Sequence, residues 1–203
     1  MRRLSVGSLW LVALLLLNPT PSTAENPCVT LRTTLGDLVV EIFCDRAPLT
    51  SANFLRYVDE DRFAGAHFYR VVTLANQPGD SITIEVVQGG LGFAESNLRL
   101  PPVAHETTEL TGIQHTDGVI SMARLEPGTA SSEFFFCIGA QPHLDFGGMR
   151  NPDGQGFAAF GRVVAGMEVL RAIHGLPRTG QFLDESVNVV AIERAEFPIS
   201  ISP

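Results

Sequence analysis

The chain has 203 residues, of which 22 are acidic and 14 basic, for a formal net charge of −8; every basic side chain is an arginine. A chain of this length with 45% hydrophobic residues can bury one sizeable core. Its acidic balance repels phosphate backbones and anionic membranes, which argues against nucleic acid as a partner.

The first two dozen residues read as a targeting segment. Arg2 and Arg3 supply a basic start, Leu9 to Leu17 is an unbroken apolar run, and Asn18, Pro19 and Pro21 break it. Ser22-Thr23-Ala24 then offers the small residues that a signal peptidase reads. The apolar run is about half the ~20 residues that a membrane span needs. The expectation is a signal peptide over 1–24 and one mature domain over 25–203. The mature chain is expected to be exported, periplasmic or secreted, with no stable membrane insertion after cleavage. It would carry 12 basic against 22 acidic residues, a net charge of −10.

A hairpin is expected first, Val29 to Thr34 and Leu38 to Phe43, turning at Leu35-Gly36-Asp37. Pro48-Leu49-Thr50-Ser51 reads as a helix start with Thr50 or Ser51 as N-cap, and Phe54, Leu55 and Val58 form its apolar stripe. His67 to Val72 is a short strand, followed by a polar loop from Thr73 to Ser81 and a strand from Ile82 to Gln88. Leu91 to Thr116, with Pro101-Pro102, lacks periodicity and reads as a surface excursion. Gly118 to Met122, Glu133 to Ile138 and Phe157 to Val164 are strands. Gly166 to His174 is a short helix, with Gly175 where a left-handed C-terminal residue belongs. Ser186 to Arg194 is a final β-branched strand. The sum is a mostly β, closed antiparallel barrel capped by two α-helices.

Cys28 and Cys44 flank the expected hairpin, and a turn centred on Gly36 sets them opposite each other. In an oxidising compartment that geometry favours a disulfide, which a one-residue change of register abolishes. Cys137 lies in the apolar run Phe134 to Ile138 and reads as a buried, inert thiol.

The chemistry-bearing patterns with strong local signatures are missing. The five histidines show no HxxxH or HxH spacing, so no metal site is expected. Ser121, Ser131 and Ser132 lack a G-x-S-x-G context, and Gly89-Gly90-Leu91-Gly92 lacks the helix and lysine of a phosphate loop.

A series of ordered segments carries more. Thr33 to Phe43, with Ala47-Pro48 and Asn53-Phe54-Leu55, is similar to the opening of a cyclophilin. Phe68-Tyr69-Arg70-Val71-Val72 resembles that family's Phe-His-Arg-Val/Ile, and Gln88-Gly89-Gly90 its Gln-Gly-Gly. Ser121-Met122-Ala123 and Ser132-Glu133-Phe134-Phe135 resemble Ser-Met-Ala and Ser-Gln-Phe-Phe. Phe160-Gly161-Arg162-Val163-Val164-Ala165-Gly166-Met167 resembles the closing Phe-Gly-x-Val-x-x-Gly-Met. The match runs in order from about Val29 to Ile192.

The resemblance implies an eight-stranded cyclophilin-like barrel. It also implies a peptidyl-prolyl cis-trans isomerase that needs no cofactor and acts on proline-containing polypeptide clients, as a monomer. Arg70 takes the catalytic position and Gln88 the neighbouring amide that binds the substrate backbone. Val86, Phe135 and Leu144 would line the proline pocket. Ala123 and Arg124 would line the groove for residues before the proline.

Four departures bear on activity. About ten extra residues, Thr73 to Ile82, separate Arg70 from Gln88, which sets Glu85 where a pocket aromatic is usual. Glu133 replaces a glutamine beside the arginine and is expected to pair with Arg70. His143 stands where cyclosporin-sensitive members have tryptophan, so weak cyclosporin binding is expected. Phe157 stands where a histidine usually forms the pocket wall. An active isomerase, a catalytically weak module that grips proline-containing segments, and an unrelated small-ligand barrel therefore remain open; the ordered motifs favour the first.

Overall fold

The computed structural model describes residues 26–195, so the expected signal segment at 1–24 lies outside the described residues. In chain order the elements are β1 (Cys28–Thr33), β2 (Gly36–Ile42), α1 (Pro48–Asp59), β3 (His67–Val72), β4 (Val86–Gly90), α2 (Thr108–Thr111) and β5 (Val119–Met122). They continue with β6 (Phe134–Cys137), β7 (Ala158–Ala165), α3 (Met167–His174), β8 (Arg178–Thr179) and β9 (Phe182–Arg194). Eight strands follow one another around a ring, β1-β2-β7-β5-β6-β4-β3-β9, and β9 pairs back onto β1 to close it. All pairings are antiparallel, and the two-residue β8 adds an extra strand on β9. Closure removes the exposed edges that an open sheet would present.

Side-chain alternation splits β6 between two apolar regions. Phe134 and Phe136 point into the barrel, where Phe54 and Phe63 meet the Phe134 ring edge-on at 5.7 and 5.6 Å. Phe135 and Cys137 point outward into a second cluster with Val72, Ile84, Val86 and Leu144. The period of two along the strand dictates this division. A phenylalanine run thus serves the core and an outer surface at once.

The hairpin is tighter than expected. Thr33 pairs with Gly36 and Cys28 with Glu41, so the turn consists of Thr34 and Leu35 alone. That register sets Cys28 opposite Glu41, while Cys44 lies beyond the end of β2, and the expected Cys28–Cys44 disulfide is not formed.

Helix α1 begins about one turn before its expected cap. Pro48 occupies its first turn, Ala47 precedes it without a side-chain cap, and Thr50 and Ser51 lie inside the helix. The capping group comes from the long segment after β4. Glu106 accepts from the backbone N–H of Leu49 and Thr50 at 3.1 and 2.7 Å, and from the Thr50 hydroxyl at 2.7 Å. A carboxylate there satisfies orphan donors and complements the helix dipole. The 91–116 segment is therefore more than a surface excursion, since Glu106, Ile113 and His115 are all buried.

Helix α3 starts at Gly166, whose φ of 91° is left-handed and whose absent Cβ would sit 2.2 Å from the Asp37 carbonyl oxygen. Gly175 corrects an expectation. It is right-handed, with φ of −83°, and the last turn closes through its N–H to the Arg171 and Ala172 carbonyls, both at 3.1 Å.

Candidate active site

The site grows from an irregularity in β3. Phe68 pairs with Gly89 and Arg70 with Gln88, so Tyr69 is an extra residue and β3 carries a bulge. Bulges re-aim side chains. Here Phe68 and Val71 stay in the barrel core, while Tyr69, Arg70 and Val72 turn outward toward the second cluster and its rim.

The Arg70 guanidinium is held on two sides by amide oxygens. Its Nε and Nη2 donate to Gln181 Oε1 at 3.0 and 2.5 Å, and its Nη1 donates to Gln88 Oε1 at 2.7 Å. Burial, and then the nearby Arg150 charge, lower the Arg70 pKa from its ordinary value. Glu133 does not pair with Arg70 as expected. Its carboxylate accepts from the Tyr69 hydroxyl at 2.7 Å, from Ser132 Oγ at 2.9 Å and from the Gly92 N–H at 3.3 Å.

Beside Arg70 lies a cavity of about 330 Å³, within the range of small-ligand sites. Val86, Phe135, Leu144 and Ile84 make it apolar, and Ala123 and Phe157 pack against them. Gln88, Phe93, Arg124, Leu125, Arg150, Asn151 and Phe182 complete its lining. Eight of the expected residues thus come together: Arg70, Val86, Gln88, Ala123, Arg124, Phe135, Leu144 and Phe157. Glu133 lies behind Arg70's partners, and His143 is exposed on a single turn of 3-10 helix, outside the cavity lining.

Arg124 is a wall rather than a free cation. Its side chain is 1% exposed and donates to Asp153 at 2.7 and 2.9 Å and to the Gly156 carbonyl at 2.8 and 2.6 Å. Its guanidinium lies over the Phe157 ring, 5.3 Å from the centroid, and that ring meets Phe135 edge-on. Gly156 permits the close approach of the Leu144–Asp145 backbone: its φ is 62°, and a Cβ there would sit 2.5 Å from the Leu144 carbonyl oxygen.

The extra residues after β3 also build the cavity. Gln77 is buried and bonds both the N–H and the carbonyl of Ile84, at 3.1 and 2.8 Å. Ile84 and Val86 then face the cavity together, and Glu85, expected there, turns to the other side, 3.9 Å from His174. Asp80 and the Ile82 carbonyl hold Arg150 at 2.9 and 2.7 Å on the rim.

One buried constellation resembles a nucleophilic triad in residue type. His115 Nδ1 lies 2.7 Å from Asp145 and its Nε2 2.9 Å from Ser121 Oγ. Ser121 is fully buried, so no substrate reaches it, and the imidazole instead stacks behind Phe135 at 6.0 Å. Among the described residues there is no group of three or more His, Cys, Asp or Glu side chains that could hold a metal ion.

Residues that sequence reasoning missed are Gln181, Ile84, Phe93, Leu125, Arg150, Asn151 and Phe182. Gln181 and Phe182 sit at the β8–β9 turn, more than a hundred positions from Arg70, and their local sequence has no distinguishing pattern.

The fold and site define a closed antiparallel barrel with a held arginine beside an outward apolar cavity. Comparison with known proteins makes the class specific. The profile of the family described as cyclophilin type peptidyl-prolyl cis-trans isomerase/CLD matches residues 28–196. Peptidyl-prolyl cis-trans isomerase-like 3 of Homo sapiens is 33% identical over 151 residues, covering 73% of this chain and 83% of its own. Peptidyl-prolyl cis-trans isomerase B of Escherichia coli strain K12 is 32% identical over 171 residues, covering 81% and 96%. The crystal structure of a Cryptosporidium parvum cyclophilin type isomerase superimposes with a TM-score of 0.65 at 20% identity, covering 86% of this chain and 100% of that one. The chain belongs to the cyclophilin-type peptidyl-prolyl cis-trans isomerases, and the expected enzyme class holds. It acts on X-Pro peptide bonds.

Proposed function

We propose that Arg70 drives isomerisation by donating to the prolyl nitrogen as the peptide bond twists, and that the clients are exported proteins in the course of folding. Amide resonance sets a barrier of ~18–20 kcal/mol. As the C–N bond rotates out of plane, resonance is lost and the nitrogen gains a lone pair. A guanidinium N–H can bind that lone pair, an interaction that exists mainly in the twisted state and so lowers the barrier.

The carrying observation is the way Arg70 is presented. A guanidinium has five N–H donors. Three are committed to Gln88 and Gln181, and among the described residues the other two have no partner. Both acceptors are neutral amides, so the positive charge is oriented without being cancelled. The apolar cavity next to it offers the prolyl ring a dry seat.

The binding-module alternative leaned on Glu85, Glu133 and the 73–82 insertion. Glu85 faces away from the cavity, Glu133 leaves Arg70 alone, and the insertion braces two lining residues, Ile84 through Gln77 and Arg150 through Asp80. Export of the mature chain follows from the reading of residues 1–24 as a signal peptide. A monomer suffices, because one chain furnishes the whole lining. Cyclosporin binding is weak in this reading, since His143 offers no tryptophan at the cavity.

The experiment is a protease-coupled isomerase assay on residues 25–203, comparing wild type with Arg70→Ala. Wild type should accelerate exchange and the variant should lose most of that acceleration. Equal rates for both and for the uncatalysed peptide would overturn the arginine-donor reading. Periplasmic or extracellular recovery of the full chain after expression tests export.

A further inference from the structure

Behind Arg70 runs a chain of hydrogen bonds with a fixed direction. Glu133 Oε2 lies 2.7 Å from Tyr69 Oη, Gln88 Nε2 lies 2.8 Å from the same Oη, and Gln88 Oε1 accepts from Arg70 Nη1 at 2.7 Å. We infer that Glu133 and Tyr69 are positioning residues that lock the orientation of the Gln88 amide, so that its oxygen and not its nitrogen meets Arg70. The inference rests on the arginine-donor reading above and deepens it.

The direction follows from donor and acceptor counting. A carboxylate accepts, so the Tyr69 hydroxyl spends its proton on Glu133. The phenolic oxygen then has lone pairs to offer and can receive an N–H from Gln88. An amide that donates through its nitrogen on one side must present its oxygen on the other. Reversing the Gln88 amide would set two N–H groups against each other at Arg70 and leave Tyr69 facing a carbonyl with no proton to give. The orientation is thus decided at Glu133, three groups away from the reacting atoms.

Three further observations support a built relay. Glu133 is held in place by the Ser132 hydroxyl and the Gly92 N–H, with Arg99 Nη2 at 3.6 Å. Burial, then the Glu133 charge, push the Tyr69 phenol well above its ordinary pKa, which keeps the proton on it. The bulge in β3 matters most. Adjacent residues of a regular strand point to opposite faces, yet Tyr69 and Arg70 both reach the same Gln88 side chain because the extra residue in β3 turns them to one side.

The test compares Tyr69→Phe with Tyr69→His. Phenylalanine keeps the ring and loses the hydroxyl. A neutral imidazole can donate from one nitrogen and accept at the other, which preserves the relay. Tyr69→Phe should lower kcat roughly three- to tenfold with KM within about twofold, the loss of one positioning hydrogen bond. Tyr69→His should retain most of the wild-type kcat. A role limited to packing predicts the reverse ranking, with phenylalanine the better replacement, and that ranking overturns the inference.

An activity-independent readout separates this idea from the isomerase reading. The Gln88 side-chain amide protons, followed by NMR, should shift and exchange faster in Tyr69→Phe. If wild type shows no turnover but the Gln88 protons respond, the arginine-donor reading fails and the relay stands. Unchanged Gln88 protons and unchanged kcat in Tyr69→Phe sink the relay alone.

Discussion

Arg70 and Gln181 are 111 positions apart, yet two guanidinium nitrogens of the one converge on a single amide oxygen of the other, at 3.0 and 2.5 Å. The backbone locks the contact, since the Val71 N–H donates to the Gln181 carbonyl at 2.8 Å. Removing the amide in Gln181→Ala frees one edge of Arg70. We expect kcat/KM to fall roughly tenfold, the scale of a hydrogen bond to a charged group. Under the proposed arginine-donor mechanism Gln181→Glu should cost more, because a carboxylate there would cancel the Arg70 charge. Steady-state kinetics on X-Pro peptides, with thermal melts to confirm folding, decide both.

Leu144 tests the cavity itself. It is fully buried in the outer apolar cluster against Val86 and Phe135. Leu144→Ala should destabilise the fold by about 2–5 kcal/mol and raise KM more than it lowers kcat. Urea titration reads the first effect and a substrate series the second. An unchanged KM would place proline binding elsewhere.

Glu106 predicts stability without activity. Its carboxylate holds the start of α1 through two backbone N–H groups and one hydroxyl, and it is absent from the residues lining the cavity. Glu106→Ala should cost about 1–3 kcal/mol of stability while kcat stays at the wild-type value. Amide exchange should quicken at Leu49 and Thr50 first.

Acid should loosen the Arg124 wall in a defined window. Hydrogen bonds from Arg124 and the Gln155 N–H lower the Asp153 pKa to about 2. A group whose folded pKa is depressed adds stability that is complete above its unfolded value, near 4, and fades as pH falls through the folded value. The contribution is therefore lost between about pH 4 and pH 2, and solvent screening keeps it modest. Asp153→Asn should flatten that part of the stability–pH curve. An identical slope in wild type and variant would remove the pair from the account.

His143 carries a ligand prediction. It is exposed and outside the cavity lining. Cyclosporin should bind the wild-type chain weakly, and His143→Trp should tighten binding roughly tenfold, the worth of one additional aromatic contact. Isothermal calorimetry on both proteins is sufficient.

Much of the barrel was legible because strand patterns are local. The alternation in Phe134 to Cys137, the β-branched run of β9 and the helical spacing of Phe54, Leu55 and Val58 each act within a few residues. Eight cavity residues were also legible: Arg70, Gln88, Ala123 and Phe135 lie within the ordered motifs, and Val86, Arg124, Leu144 and Phe157 take their places from the spacing around them. The hairpin register was not. The spacing points to a turn at Leu35-Gly36-Asp37, and the two-residue turn that forms instead, at Thr34 and Leu35, sets Cys28 opposite Glu41 and not Cys44.

The sequence by itself determined a closed β-barrel and an arginine set among the ordered segments of a proline isomerase. Strand alternation and contiguous motifs depend on neighbours along the chain, which any reader of the residues can count. Tertiary structure alone decided who holds that arginine. Gln181 rather than Glu133 bonds it, Ile84 rather than Glu85 faces the cavity, and Glu106 rather than Thr50 or Ser51 caps α1. Each choice joins groups from distant positions, and a one-residue bulge or a two-residue turn redirects every side chain that follows it. Such pairings depend on how the closed ring brings strands together, which no local pattern records.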